Sequence, residues 1–221
     1  MTRELFHLEL TQIQDQVLVL GSMTEKAIID AMDALRDGDE RSSRRIIDDD
    51  LLINAKRYEI EQQCIFVIGS QQPMASDLRS LVSTLFITTD LERMADHAEG
   101  IARINLLLTG APAPRRLGYI PAMSDRAIAM LRSSLKAYIE HDAVLARQIC
   151  EADDEVDRLQ DSVYDECFKA MVNDPSSIQW NTYMLWTAHN LERIADRCTN
   201  VGERVIYTVT GKMEEINVSS Y

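Results

Sequence analysis

Leu91-Glu92-Arg93-Met94-Ala95-Asp96 returns one hundred positions later as Leu191-Glu192-Arg193-Ile194-Ala195-Asp196. Five of the six residues are identical, and each copy sits deep in a run with helical periodicity. In each, a glutamate and an aspartate stand four apart, so both carboxylates project from one side of a helix, about one turn from each other. Like charges at that spacing repel by roughly 0.2–0.5 kcal/mol. Some compensating group is therefore expected beside each copy.

Outward from the phrase the chain reads as helices only. Ile13, Val17, Leu20, Ala27, Ala31 and Leu35 recur at threes and fours and predict a first helix over about 4–37. Gly38-Asp39 predicts its end and the cap of a second helix running to about Gly69, with Ile47, Leu51, Tyr58, Ile65 and Ile68 inward. Pro73 suits the first turn of a third helix that carries the first copy of the phrase to about Leu108. Residues 109–121 hold three of the five prolines in the chain and read as a linker. A fourth helix is expected over about 122–140, ending at His141-Asp142, the counterpart of Gly38-Asp39. A fifth, about 142–172, shows Leu145, Ile149, Ala152, Val156, Leu159 and Val163 in near-heptad spacing. Asn173-Asp174-Pro175-Ser176-Ser177 breaks it, and a sixth helix carries the second copy to about Gly211, before a polar, frayed tail. No stretch alternates as a strand does. The expected fold is all-α, with two tandem antiparallel three-helix bundles: residues 1–110, a linker over 111–121, and residues 122–221.

Composition narrows the function. The chain of 221 residues carries 36 acids against 23 bases, a net charge of −13 shared between both halves. Such a surface repels nucleic acid and anionic headgroups and attracts cations or a basic protein surface. The N-terminus lacks the apolar stretch of a signal peptide, and no run approaches the roughly 18 apolar residues of a membrane span, so a cytoplasmic protein is expected. Cys64, Cys150, Cys167 and Cys198 are scattered, without a CxxC pair, and read as small buried apolar groups.

The second helices add acidic or amide pairs at the same spacing, Asp50 with Asn54 and Asp153 with Asp157. Counting from the turn near residue 175, Glu192/Asp196 and Asp153/Asp157 lie level to about 1.5 Å, whereas the first-half sets are offset by roughly 6 Å. At 100° per residue, Leu78, Leu81 and Leu85 lie within about 40° of Glu92/Asp96, and Leu185 lies in line with Glu192/Asp196, so the acids continue an apolar face. Hard oxygen clusters suit Mg²⁺, Mn²⁺, Ca²⁺ or oxidised iron, and the lack of nearby histidine and cysteine disfavours zinc. A ferritin-like di-iron site needs two Glu-x-x-His motifs, and only Glu4-Leu5-Phe6-His7 occurs. Phosphate loops and nucleophile elbows are absent. Metal binding of this kind would suit a metal-dependent enzyme or metal-storage protein on a helical bundle, which stands as the alternative reading.

Gln71-Gln72-Pro73-Met74-Ala75-Ser76-Asp77-Leu78-Arg79, followed by Asp90-Leu91-Glu92-Arg93-Met94-Ala95-Asp96-His97-Ala98, closely resembles the PhoU family. In the second half Asn190-Leu191-Glu192-Arg193-Ile194-Ala195-Asp196-Arg197 and Asn200-Val201-Gly202-Glu203-Arg204-Val205-Ile206-Tyr207 extend the resemblance to about residues 5–211. It implies tandem three-helix bundles in a cytoplasmic negative regulator. Such a regulator links the ATPase of a phosphate ABC transporter to a phosphate-sensing histidine kinase, and often forms a homodimer. It also implies metal held by Glu/Asp-x-x-x-Asp motifs. The implied ligands are Glu92, Asp96, Asp50 and Asn54 in the first half, and Glu192, Asp196, Asp153, Asp157, Asn200 and Glu203 in the second. Two departures stand out: Ala95 and Ala195 where members often have glycine, and Gly100 and Arg103 where the second half has Asn200 and Glu203.

Overall fold

The structure, a computed structural model, describes residues 3–110, 117–214 and 216, with side chains from Phe6 onward. Six helices follow in order, α1 (Arg3–Asp37), α2 (Glu40–Gln71), α3 (Ser76–Leu107), α4 (Ile120–Glu140), α5 (Ala143–Asn173) and α6 (Ile178–Thr210), with one 3-10 turn at Pro175–Ser177. Among the described residues there is no strand, and no helix is long and apolar enough to cross a membrane.

The helix ends follow the local chemistry. Gly38 takes φ +69° and the Asp39 carboxylate accepts from the Ser42 amide, so one short turn ends α1 and caps α2. His141 and Asp142 repeat the arrangement between α4 and α5, the aspartate accepting from the Val144 and Leu145 amides. The α2–α3 turn departs from expectation. Gly69 lies inside α2, Gln72 takes the left-handed position at φ 48°, and Pro73 precedes α3 rather than opening it. The Gln72 amide still reaches the Ile68 carbonyl at 3.2 Å, which satisfies one of the acceptors left open at the end of α2. Helix α4 starts at Ile120, inside the expected linker, because Pro121 fits its first turn. Residues 111–116 of that linker lie outside the described residues.

The largest departure concerns α2. Its buried residues include Ile46, Ile53, Ile60 and Val67, seven apart, with Cys64 beside them. Leu51, Tyr58 and Ile65, expected inward, are exposed by 72 %, 53 % and 62 %. Helix α2 carries two apolar stripes, and the fold covers only one. The same buried seam recurs 103 residues on as Ile149, Val156 and Val163 of α5. Helices α1 and α5 otherwise bury the faces their spacing predicts. All four cysteines are free and buried, and burial pushes the Cys64 and Cys150 thiols up to about 12.

Helix α3 packs on α1, α2 and α6, while α6 packs on α3, α4 and α5. The two phrase-bearing helices are therefore the central pair, and one continuous apolar core runs from Phe6 to Ile206. Tyr138 of α4 reaches across the halves, its hydroxyl 2.8 Å from that of Thr84 on α3. The described part of the tail is docked rather than frayed: Glu214 pairs with Arg147 at 2.5 Å, and Ile216 packs against the core. Residues 215 and 217–221 lie outside the described set.

Candidate functional site

Each copy of the phrase divides its residues in the same way. Leu91, Met94 and Ala95, like Leu191, Ile194 and Ala195, are fully or almost fully buried, each large apolar side chain contributing about 1.5–3 kcal/mol. The glutamate is drawn in with them, Glu92 and Glu192 each being 8 % exposed. The aspartate one turn later points outward: Asp96 is exposed and Asp196 half-buried. A buried carboxylate without a partner would be costly, which fixes what must stand beside each glutamate.

In the first half the partner comes from α2. Arg57 donates to Glu92 Oε1 at 2.9 Å and to Glu61 Oε1 at 2.7 Å. Asn54 donates to Asp50 Oδ2 at 2.8 Å, and Asp50 Oδ1 is buried without a hydrogen-bond partner. Burial, then the charges of Glu99 and Glu92, raise the Asp50 carboxyl above the usual range. Loss of hydration, then Glu92, Asp50 and Glu99, push Asp96 up to about 6. Four acids from two helices thus share one face. Arg103 sits beyond them, paired with Glu99 at 2.5 Å. Glu99 acts on Asp50 ahead of Glu92, as expected if the acids of α2 lie further along α3 than the phrase.

The second half solves the same problem differently. The α2–α5 correspondence places Gln160 where Arg57 stands, so no arginine crosses from α5 at that position. Arg193 instead folds back onto its neighbour Glu192 and reaches Asp196 at 3.3 Å, with His189 Nδ1 3.8 Å from Glu192. Burial raises the Asp157 carboxyl, followed by the charges of Glu192, Asp154, Asp161 and Asp196. Asp153 is buried beside Cys198 and Cys150. Asn200 and Glu203 face elsewhere: Asn200 lies 3.4 Å from Asp90, and Glu203 accepts the Ile216 amide at 2.9 Å.

Among the described residues, no three His, Cys, Asp or Glu side chains are gathered as a ready metal site. Arginine nitrogens occupy the positions a cation would take at Glu92 and Glu192. The donor chemistry still fits a hard cation, being all oxygen, with an orphaned Asp50 Oδ1 and with Asp50, Asp96 and Asp157 raised above their ordinary range by burial first and by neighbouring acids second.

A polar set that spacing alone does not reveal joins α3 to α6. Arg197 Nη1 lies 3.4 Å from Asp90 Oδ1, and His97 Nδ1 lies 3.0 Å from Asn190 Oδ1. Burial lowers the His97 ring below its ordinary value and raises the Asp90 carboxyl above its own. A side chain at Gly100 would meet Asn190 Oδ1 at 3.0 Å, which accounts for glycine where the second half has Asn200. The signal lies in the repeat: positions 90 and 97 map onto 190 and 197, and each meets the other's counterpart.

The family model described as PhoU domain matches residues 17–104 and 120–205. A phosphate-specific transport system accessory protein PhoU homolog of Clostridium acetobutylicum is 39% identical over 218 residues, covering 98% of this chain and 100% of that protein. A homolog of the same name from Rhizobium meliloti is 31% identical, covering 93% of this chain and 87% of its own. The crystal structure of the phosphate transport system regulatory protein PhoU from Streptococcus pneumoniae matches with a TM-score of 0.88 at 31% identity, covering 95% of this chain and 99% of that one. That of PhoU from Pseudomonas aeruginosa matches at 0.87 and 31% identity, covering 94% and 100%. These names are those of accessory and regulatory proteins, not of enzymes. The chain belongs to the PhoU family.

Proposed function

We propose that this chain is a cytoplasmic negative regulator of phosphate uptake and of the phosphate-starvation response. It acts between the ATPase of a phosphate ABC transporter and a phosphate-sensing histidine kinase, and it works as a homodimer. What supports the reading is full-length similarity to proteins named as accessory to phosphate transport, together with an acidic face suited to basic partners.

Metal is part of the proposal. Asp50, Asn54, Glu92 and Asp96 would hold a cation in the first half, and Asp153, Asp157, Glu192 and Asp196 in the second. A bound Mg²⁺, Mn²⁺ or iron ion would neutralise the carboxylates and leave the arginines free to turn outward. Asn200 and Glu203 would join only by releasing Asp90 and the Ile216 amide. The observation that carries this part is the buried Asp50 Oδ1, left without a hydrogen-bond partner on the face it shares with Glu92 and Asp96.

Deleting the gene tests the regulatory role. Phosphate uptake and starvation-gene expression should both rise in phosphate-replete cells and return to normal on complementation. Unchanged uptake and expression would remove the proposal.

A further inference from the structure

We infer that the outer face of α2 is the surface through which two copies of this chain pair, antiparallel, about a two-fold axis near residue 60. The inference deepens the self-association proposed above by giving it a place and a direction.

The internal repeat acts as a control for what the fold itself requires. The residues 103 positions after Leu51, Leu52, Tyr58 and Phe66 are Asp154, Glu155, Asp161 and Lys169, on the same outward face of α5. Ile65 alone among the exposed apolar residues of α2 keeps a large apolar counterpart on α5, the exposed Phe168, so folding of the bundle does not demand Leu51, Leu52, Tyr58 and Phe66 on α2. Yet Leu51, Leu52, Tyr58, Ile65 and Phe66 are each more than half exposed. Side chains of that size leave roughly 600 Å² of mostly apolar surface in water.

The stripe is also shaped for a copy of itself. Leu51, Tyr58 and Ile65 stand seven apart, and Ala55, Gln62 and Gly69 stand seven apart between them, all exposed. An antiparallel partner centred on residue 60 sets Leu51 against Gly69, Ile65 against Ala55, and Tyr58 against Gln62. Large side chains meet small ones at both ends. Gly69 has no reason for being small within the chain: a side chain there meets nothing within 4 Å, and α5 carries Val172 at the matching position. A glycine in a helix costs about 1 kcal/mol relative to alanine, so its smallness calls for an explanation that a close neighbour supplies.

Charge selects the direction. Asp48 lies at one end of the face, whereas Gln62–Gln71 carries no charge. A parallel pair would oppose acid to acid. An antiparallel pair opposes the acids to the neutral end and leaves one like-charge meeting, Glu59 near the axis, where each copy's Lys56 already lies 3.0 Å from its own Glu59. Two such faces bury roughly 1,200 Å² in total, the lower edge of stable interfaces, so the pair should dissociate on dilution.

The test is sedimentation of the purified chain across a concentration series into the high micromolar range. The wild type should shift from monomer to dimer. Leu51→Asp/Tyr58→Asp, which copies α5, and Gly69→Val should each remain monomeric with unchanged helicity and melting. A wild type that stays monomeric removes both the dimer and the surface; a dimer indifferent to these changes removes the surface alone. A second measurement leaves the stripe intact. All four native cysteines are buried, so an introduced one is the reactive thiol. A short bis-maleimide should join Glu59→Cys chains to each other but not Asp48→Cys chains, whose partners would lie about 36 Å apart. Joining of both, or of neither, overturns the arrangement.

Discussion

Asp90 and Arg197 stand 3.4 Å apart across α3 and α6, and the repeat turns them into Asn190 and His97, 3.0 Å apart. One contact is charged and its mate neutral, although both join the same two helices at matched positions. The central helices are therefore pinned on both sides of a pseudo-two-fold axis, with the two copies of the phrase held at a set distance.

The charged member is expected to be the sensitive one. Removing Arg197 leaves a buried carboxylate without its cation, so Arg197→Ala should lower unfolding free energy by about 1–3 kcal/mol in urea. Asp90→Asn should cost less, because burial already opposes the charged form of Asp90. Asp90→Asn/Arg197→His copies the neutral mate and should fall within about 1 kcal/mol of the wild type. A larger loss for Asp90→Asn than for Arg197→Ala would contradict the assignment.

Asp96 makes the metal-free protein sensitive to pH. Its carboxyl titrates at about 6, above its unfolded value, so the folded state holds the proton more tightly. Its stabilising share is present at low pH and is lost as pH rises from about 4 to about 6. In chelator, Asp96→Asn should therefore melt higher than the wild type at pH 7.5, with the gap narrowing towards pH 4.5. A gap that widens on acidification would reverse the sign and refute the electrostatic account.

The contrast between Arg57 and Gln160 gives a substitution in each direction. Gln160→Arg places a cation on α5 where α2 already has one and should weaken Mn²⁺ binding by the second half, through competition for Glu192. Arg57→Gln should strengthen binding by the first half, provided the fold tolerates Glu92 without its partner. Equilibrium titration reads both, and unchanged affinity in both variants would show that the arginines do not compete.

The tandem design is legible because the phrase lies on the central pair of helices, where packing on three sides holds Leu91, Met94 and Ala95 and their counterparts to type. The second face of α2 is not legible. Leu51, Tyr58 and Ile65 have the period of a core stripe as plainly as Ile53 and Ile60 do, and periodicity cannot say which stripe the same chain covers. The need for a compensating group beside Glu92 follows from like charges one turn apart, but its identity does not. Arg57 crosses from another helix, and Arg193 bends back from the adjacent position, outside the three- and four-residue spacings that helical pairing rules address. Asn200 and Glu203 lie near the phrase in sequence yet turn to Asp90 and to the Ile216 amide, which only the packing of α6 and the tail decides.

Partner binding should follow the charge of the chain. With −13 overall, association with a basic surface should be fast at low salt and slow at high salt. Binding of the purified transporter ATPase, followed by surface plasmon resonance from low to high sodium chloride, should lose association rate first. Indifference to ionic strength would argue for an apolar interface.

The most direct measurement is calorimetric titration of chelator-treated protein with Mn²⁺, comparing the wild type, Glu192→Gln/Asp196→Asn and Glu92→Gln/Asp96→Asn. The second half has Asp157 in place of Asn54 and Gln160 in place of Arg57, and each added acid or removed cation strengthens cation binding. The wild type should bind at two strengths, with the tighter one lost in the Glu192/Asp196 variant and the weaker one in the Glu92/Asp96 variant. No heat of binding in the wild type, or loss of the tighter site only in the Glu92/Asp96 variant, would contradict the account.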